Sequence, residues 1–136
     1  MTLTDTGPLI ALINRNDPNH PACVMAARQL PSGPLITTWP CFTEAMYLLF
    51  RVGGSPAQAA LWRLRQDGRL LLHDLTNAEV DRMAELMEIY RDRPMDLADA
   101  AIVATAEHLG MRRLFTLDHD FYIYRLADSS TLEVIP

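Results

Sequence analysis

Short apolar runs typical of β-strands alternate with longer helical patterns along the whole chain, and this alternation constrains the fold more than any other feature. Five runs predict strands, at residues 2–5, 35–38, 69–73, 113–116 and 132–135. Because parallel strands need helical crossovers, we expect an α/β fold in which helices cover both faces of a mostly parallel sheet of about five strands.

Local signals set the helix boundaries. Gly7-Pro8 opens a short helix that ends near Ile13, and Asp17-Pro18 is predicted to cap a second helix that reaches about Leu30. The 136 residues contain no linker or repeat, so we expect a single domain spanning residues 1–136. Further helices are predicted from Pro40 to Val52, Ser55 to Gln66, Thr76 to about Tyr90 and Pro94 to Gly110, with a helical turn at 120–124.

Acidic residues lie where such a fold brings distant segments together. Asp5 and Asp118 each follow a predicted strand, and the carboxyl ends of parallel strands form the edge where ligands bind. Glu44 and Asp99 lie in apolar helices that can reach the same edge. Two carboxylates 4 Å apart repel by about 4 kcal/mol at an effective dielectric near 20, so a cluster favours a divalent cation or protonation. Oxygen-only ligands favour Mg²⁺ or Mn²⁺.

Each acid also has a local explanation. Asp5 and Asp96 suit helix N-caps, Glu44 suits a solvated helix face, and Asp118 and Asp120 suit a turn. These local roles do not explain why acids recur at every point that the fold would gather. Taken together, the acids therefore favour a shared site.

The charge of the chain limits the class of partner. Its formal net charge is −5, and all 12 basic residues are Arg. This composition argues against non-specific binding of duplex DNA through a broad basic surface. A nucleic-acid substrate stays open, because Arg binds phosphate bidentately and a bound metal reverses the sign of an acidic site. Candidate phosphate contacts, without a basis for choosing among them, are Arg15, Arg51, Arg93 and Arg125.

No feature of the sequence predicts a membrane or secreted location. The longest apolar runs, such as Ala45 to Phe50, are far shorter than a membrane span, and the N-terminal residues lack a signal-peptide pattern. Cys23 and Cys41 have neither disulfide-framework nor zinc-ligand spacing. We therefore expect a cytoplasmic protein with no membrane partner.

Four segments carry a resemblance to a known family: LTDTGPLI at 3–10, TEAMYLL at 43–49, MDLADAAIVA at 95–104 and TLDHDF at 116–121. In this order and spacing they resemble the four motifs of PIN-domain ribonucleases, most closely the VapC-type toxins of type II (VapBC) toxin–antitoxin modules. Each motif alone has low specificity, whereas four in order across the chain are fairly specific. The resemblance implies a PIN-like α/β/α sandwich with strand order 3-2-1-4-5 and an acidic pocket for Mg²⁺ or Mn²⁺.

The resemblance also assigns roles to residues. It implies a catalytic set of Asp5, Glu44, Asp99 and Asp118, of which Asp5, Asp99 and Asp118 would bind metal. Glu44 would bind a metal-coordinated water and orient or deprotonate the attacking one. The supporting positions are Thr6 and Thr116, which could hydrogen-bond a carboxylate or water, and the more peripheral Asp96 and Asp120.

The implied activity is endoribonuclease cleavage, in which metal-activated water hydrolyses an RNA phosphodiester and leaves 5′-phosphate and 3′-hydroxyl ends. Single-stranded or loop RNA is favoured over duplex, because unstacked segments can bend into a small pocket. A cognate antitoxin protein is expected to place its C-terminal segment in the acidic groove. The family also implies a homodimer formed through the helices at 40–52 and 55–66.

Two other functions are alternatives to the nuclease. A phosphatase of the haloacid dehalogenase type also has Asp after its first strand, but it needs an acid two residues later, where this chain has Gly7. The stronger alternative is a catalytically inactive PIN scaffold that binds RNA or a protein partner or only dimerises. Such a scaffold usually lacks one of the acids, and all four are present here.

Overall fold

The computed structural model describes residues 1–136 and is built around one five-stranded sheet. Its strands are Thr2–Thr4 (β1), Leu35–Thr38 (β2), Leu70–His73 (β3), Arg113–Phe115 (β4) and Glu133–Ile135 (β5). The strand order is β3-β2-β1-β4-β5, and every neighbouring pair is parallel. The predicted sheet and its order are therefore confirmed.

Helices cover both faces of this sheet. Their bounds are Thr6–Ile13 (α1), His20–Gln29 (α2), Trp39–Gln66 (α3), Asn77–Ile89 (α4) and Leu97–Leu109 (α5), followed by a short 3₁₀ helix at His119–Tyr122. Leu3, Ile36 and Leu114 pack with α4 and α5 in one buried cluster. Two smaller clusters join α1, α2 and α3 to the opposite face, around Leu70 and Phe115. The result is the expected α/β/α sandwich.

The helix α3 contains the break that its sequence predicts. Gly54 has φ 63° and ψ −158°, a backbone conformation that residues other than Gly rarely adopt. Pro56 follows and cannot donate a backbone hydrogen bond. The span α3 thus consists of two helices that meet at the non-helical Gly54, as the sequence predicts.

The predicted start of the second helix is wrong. Asp17 does not cap it, because the Asp17 carboxylate instead accepts the backbone N–H of Asn19 at 2.8 Å and closes a turn. The helix begins at His20, two residues after the predicted first residue Pro18, with Pro21 in its first turn. His20 Nδ1 lies 2.7 Å from the carbonyl oxygen of Ala11, which ties the start of α2 to α1.

Other caps agree with their sequence signals. Thr76 and Glu79 form the predicted capping box at the start of α4, and Gly110 ends α5 in the left-handed conformation. Glu79 is 3% exposed and also pairs with His73 at 2.8 Å. Burial acts to raise the pKa of Glu79, but the hydrogen bonds from Thr76 and His73 outweigh it and lower the pKa. This pair connects the end of β3 to α4.

The central strands determine which chain segments meet at the carboxyl edge of the sheet. Thr4 of β1 is in register with Phe115 of β4, so the residues that follow these two positions are neighbours. The helices α1 and α3 begin immediately after β1 and β2, so their amino ends also lie at this edge. None of the helices is both long enough and apolar enough to span a membrane.

Candidate metal centre

Asp5 lies at the centre of the carboxyl edge, between β1 and α1. It is the N-cap of α1, and its Oδ1 accepts the backbone N–H of Thr6 at 2.8 Å. Its Oδ2 accepts the hydroxyl of Thr116 at 2.8 Å, and its own backbone N–H donates to the carbonyl of Phe115. Only 7% of Asp5 is exposed. Bonds from two strand ends therefore fix both oxygens of this carboxylate.

Asp99 and Asp118 come to the same place from other elements. Asp99 lies in the first turn of α5, where its backbone N–H donates to the carboxylate of the N-cap Asp96 at 2.8 Å. Asp118 follows β4, and its Oδ1 accepts the N–H of Asp120 at 2.9 Å. One carboxylate oxygen each from Asp5, Asp99 and Asp118 lies within 4.8 Å of the others. The fold thus gathers three of the four predicted catalytic acids into one cluster.

The fourth acid, Glu44, reaches the cluster from the second turn of α3. Its Oε2 accepts a hydrogen bond from the hydroxyl of Thr6 at 3.3 Å. The same hydroxyl proton can instead be donated to the carbonyl oxygen of Cys41. The acids border a cleft of about 280 Å³. The cleft is lined by Asp5, Thr6, Gly7, Ile10, Glu44, Leu48, Asp96, Asp99, Leu117 and Asp118.

The electrostatics of the cleft disfavour its negative charge. Burial, followed by the neighbouring charges of Asp96, Asp5 and Asp118, raises the pKa of Asp99 to about 8. Burial also raises the pKa of Asp5, although its bonds from Thr6 and Thr116 oppose the rise. Partial burial and the charge of Asp96 raise the pKa of Glu44. No Arg or His forms an ion pair with any of these carboxylates.

This donor set fits a hard divalent cation. The three clustered ligands are carboxylate oxygens, which Mg²⁺ and Mn²⁺ prefer and which lack the nitrogen and sulfur typical of zinc sites. Two oxygens on opposite sides of one Mg²⁺ are about 4.2 Å apart, so carboxylates within 4.8 Å are close to the spacing of a shared ion. A cation would also relieve the repulsion that raises their pKa values.

The other predicted positions divide into two groups. Thr6 and Thr116 contact Glu44 and Asp5 as expected, and Asp96 lines the cleft while capping α5. Asp120 is not among the residues that line the cleft. The four candidate phosphate contacts, Arg15, Arg51, Arg93 and Arg125, are all exposed, and none lines the cleft.

Two contacts in the site have no counterpart in the sequence-based set. The Tyr124 hydroxyl donates to Asp99 Oδ2 at 3.1 Å, and the thiol of Cys41 lies 3.7 Å from Asp5 Oδ1. Cys41 precedes Glu44 by three residues, so their shared helix face was a usable signal. Tyr124 is 25 residues from Asp99, and no local pattern joins them. Burial raises the pKa of Cys41 to about 12 and raises that of Tyr124, so both stay protonated near neutral pH.

A larger cavity, of about 740 Å³, lies at the opposite edge of the sheet. It is bordered by the amino ends of β1 and β2, with Thr2 and Leu35 among its lining residues, and no Asp or Glu lines it. Size therefore does not identify the candidate site in this molecule, since the carboxyl groups with raised pKa values line the smaller cleft.

The family model for the PIN domain matches residues 2–127, which include Glu44 and the three acids of the cluster. The chain belongs to the PIN domain family. Among curated proteins, it is 28% identical over 135 residues to Ribonuclease VapC26 of Mycobacterium tuberculosis, covering 98% of this PIN-domain chain and 99% of the relative. The predicted resemblance to VapC-type proteins is confirmed by this match.

Solved structures agree with the PIN-domain fold. The toxin VapC20 of Mycobacterium tuberculosis, described as cleaving the sarcin-ricin loop, superposes with a TM-score of 0.85 at 22% identity, and the match covers all of both chains. A toxin–antitoxin complex from Klebsiella pneumoniae gives a TM-score of 0.65 at 22% identity, over 89% of this chain and 90% of the other. FitAcB of Neisseria gonorrhoeae gives 0.66 at 20% identity, over 100% and 97%.

Proposed function

We propose that this PIN-domain protein is a Mg²⁺- or Mn²⁺-dependent endoribonuclease and the toxin of a toxin–antitoxin module. The observation that carries the proposal is the cluster of Asp5, Asp99 and Asp118, whose oxygens lie within 4.8 Å of one another without a basic partner. The similarity to Ribonuclease VapC26 along nearly the whole of both chains supports the same activity. Because the proposed substrate is RNA, we expect the activity to be cytoplasmic.

Asp5, Asp99 and Asp118 would hold the ion, since they supply the clustered oxygens. When bound, a divalent cation activates water at neutral pH and neutralises charge on the scissile phosphate and on the leaving oxygen. The protein's own contribution is to keep these carboxylates in place. Thr116 and the N–H of Thr6 fix the carboxylate of Asp5, and the start of α5 fixes the backbone of Asp99.

Glu44 is proposed to orient the attacking water and take its proton. Its side chain faces the cleft from α3, is more exposed than Asp5 and Asp99, and accepts the hydroxyl of Thr6. Its raised pKa brings it closer to the range in which a carboxylate is an effective general base at neutral pH. Thr6 therefore contacts both acids, since its hydroxyl donates to Glu44 and its backbone N–H donates to Asp5.

Single-stranded or loop RNA is the proposed substrate class. A cleft of about 280 Å³ has room for an exposed phosphodiester, and an unstacked segment can bend to enter it. The description of VapC20 as cleaving the sarcin-ricin loop makes a structured ribosomal loop the first RNA to test. Exposed Arg15, Arg51, Arg93 and Arg125 are the proposed contacts for phosphates outside the cleft, and none of them is ion-paired.

Removal of the metal tests the proposed activity. We expect purified protein to cleave loop-containing RNA with Mg²⁺ or Mn²⁺ and to lose this cleavage in excess chelator, because neither the cluster carboxylates nor Glu44 can neutralise phosphate charge. Gel analysis of a panel of structured RNAs, followed by end-group mapping for 5′-phosphates, gives the readout. Readdition of Mn²⁺ serves as the reversal control. Absence of cleavage under every metal condition would favour the inactive scaffold instead.

A cognate antitoxin is the proposed protein partner. The similar structure from Klebsiella pneumoniae is a toxin–antitoxin complex, which supports such a partner for this chain. The cleft carboxylates have no ion-pair partner within the chain, so a basic side chain from a bound segment would complement them. We therefore expect the antitoxin to insert an Arg or Lys near the acidic cleft and to compete with the metal.

A homodimer through α3 is proposed as well. Tyr47 and Phe50 are 63% and 57% exposed and lie three residues apart, so they share one side of the helix. We expect the protein to sediment as a dimer at micromolar concentration and Phe50→Glu to make it a monomer, because a charge at a buried apolar contact is costly. Met25→Glu on α2, where Met25 is 64% exposed, is the matched control and should leave the dimer intact. Sedimentation of the original protein as a monomer would contradict the proposal.

A further inference from the structure

The carboxylates of the proposed ion site differ in how firmly the protein holds them. Asp5 accepts a backbone N–H and a hydroxyl, one on each oxygen. The Asp99 side chain accepts one hydrogen bond, from the hydroxyl of Tyr124 to Oδ2 at 3.1 Å. The orientation of Asp99 therefore depends on a single side-chain donor from a distant part of the chain.

That donor is itself rigidly placed. Tyr124 is 3% exposed, and its ring packs edge-on against Phe121 and Tyr90, with centroid distances of 5.4 Å and 5.1 Å. The hydroxyl of Tyr90 accepts the backbone N–H of Arg125 at 2.8 Å, which holds the chain immediately after Tyr124. The phenol is thus fixed by packing on its ring and by the backbone beside it. Such a donor keeps its geometry without losing side-chain entropy when a ligand binds.

We propose that Tyr124 is a positioning residue that orients the Asp99 carboxylate so that one oxygen stays directed at the ion and substrate site. Tyr124 occupies Oδ2 as a hydrogen-bond donor and leaves Oδ1 free of protein partners for a cation. Removal of the partner that orients a metal-binding side chain commonly weakens metal affinity or activity by about 10–100-fold. The inference rests on the proposed ion site and adds a residue to it.

The test is Mn²⁺ binding by isothermal titration calorimetry to the full chain and to Tyr124→Phe. The substitution keeps the buried ring and removes only the hydroxyl, and we expect the Mn²⁺ dissociation constant to rise about 10-fold. Tyr122→Phe is the matched control, because it removes a tyrosine hydroxyl from the same segment, from a side chain that is 55% exposed and does not line the cleft. Its dissociation constant should stay within about twofold of the original, in line with a hydroxyl that does not reach the ion site.

Melting temperatures separate positioning from a purely structural role. In chelator they report folding of each variant without an ion, and the further rise on addition of Mn²⁺ reports ion binding. We expect that rise to be smaller for Tyr124→Phe than for Tyr122→Phe. A lower melting temperature in chelator with an unchanged Mn²⁺ dissociation constant would overturn the inference. Absence of Mn²⁺ binding to the original protein would overturn the ion site itself, which is a distinguishable result.

Discussion

Replacement of Asp5 by Asn is expected to reduce metal-dependent RNA cleavage by at least about 100-fold, since several kcal/mol of charge stabilisation in the transition state depend on the ion. Asp5 is the most constrained member of the cluster, and the amide that replaces it is a poor ligand for a hard cation. The shape of the side chain is nearly unchanged. The loss should therefore come from chemistry and not from repacking.

The same substitution should leave the ion-free protein at least as stable as the original. Burial raises the pKa of Asp5, so the folded state disfavours its ionised form, and a neutral amide avoids that cost. The amide oxygen can still accept the N–H of Thr6, and its NH₂ group can donate to Thr116 Oγ1. Urea unfolding in chelator measures the free energy of unfolding. RNA cleavage rates over a range of Mn²⁺ concentrations measure the activity.

Asp81→Asn provides the control for charge alone. Asp81 is an exposed acid on α4 that does not line the cleft, so it changes net charge equally without touching the site. It should retain the original cleavage rate. If Asp5→Asn cut RNA as fast as Asp81→Asn, the ion would have to lie elsewhere and the nuclease proposal would lose its basis.

The sequence was sufficient to predict the parts of this molecule that depend on local signals and on parallel-sheet topology. Asp5 and Asp118 directly follow strands, and the rule that such residues meet at one edge placed them correctly. The cap at Asp96 and the break at Gly54 also follow from residue type. By contrast, the Asp17-Pro18 pair has the composition of a cap, but a competing hydrogen bond within the turn moved the helix start to His20.

The features that the sequence did not predict depend on contacts between residues far apart in the chain. Tyr124 meets Asp99 because the segment after the 3₁₀ helix folds back over the start of α5, and neither periodicity nor spacing encodes that return. The pKa values have the same origin. Burial, the charge of Asp96 at the start of the same helix, and the charges of Asp5 and Asp118 from other elements raise the pKa of Asp99 to about 8. Apart from the charge of Asp96, these causes belong to the folded molecule and not to the local sequence.

The stability of the ion-free protein should fall as the pH rises from about 5 to about 8, which is the largest change in stability that we expect. A carboxyl group whose folded-state pKa is raised binds more protons in the folded state than in the unfolded state throughout the interval between the two pKa values. For Asp99 that interval extends from its ordinary value of 3.8 to about 8. Asp5 and Glu44 act in the same direction in the lower part of the range.

Glu79 contributes a stability that changes with pH in the opposite direction, but it does so outside this pH window. The pKa of Glu79 is lowered from 4.5, so its stabilisation is present above that value and is lost only at more acidic pH. Between about pH 5 and 8 the slope should therefore be set by the cleft acids. After allowance for relaxation around coupled carboxylates, we expect the free energy of unfolding to fall by on the order of 2 kcal/mol.

Mn²⁺ should reverse this trend, because an ion binds the deprotonated carboxylates and competes with protons. The stabilisation by saturating Mn²⁺ should therefore be greater at pH 8 than at pH 5, and stability in its presence should no longer fall with pH. Urea unfolding at several pH values, in chelator and in Mn²⁺, measures both profiles. Asp99→Asn should flatten the chelator profile, since it removes the group with the widest interval, whereas Asp81→Asn should not. A free energy of unfolding that rises with pH across this window in chelator would contradict the proposal. It would mean that the folded chain already stabilises the ionised cleft acids, so that no cation is needed at this edge of the sheet.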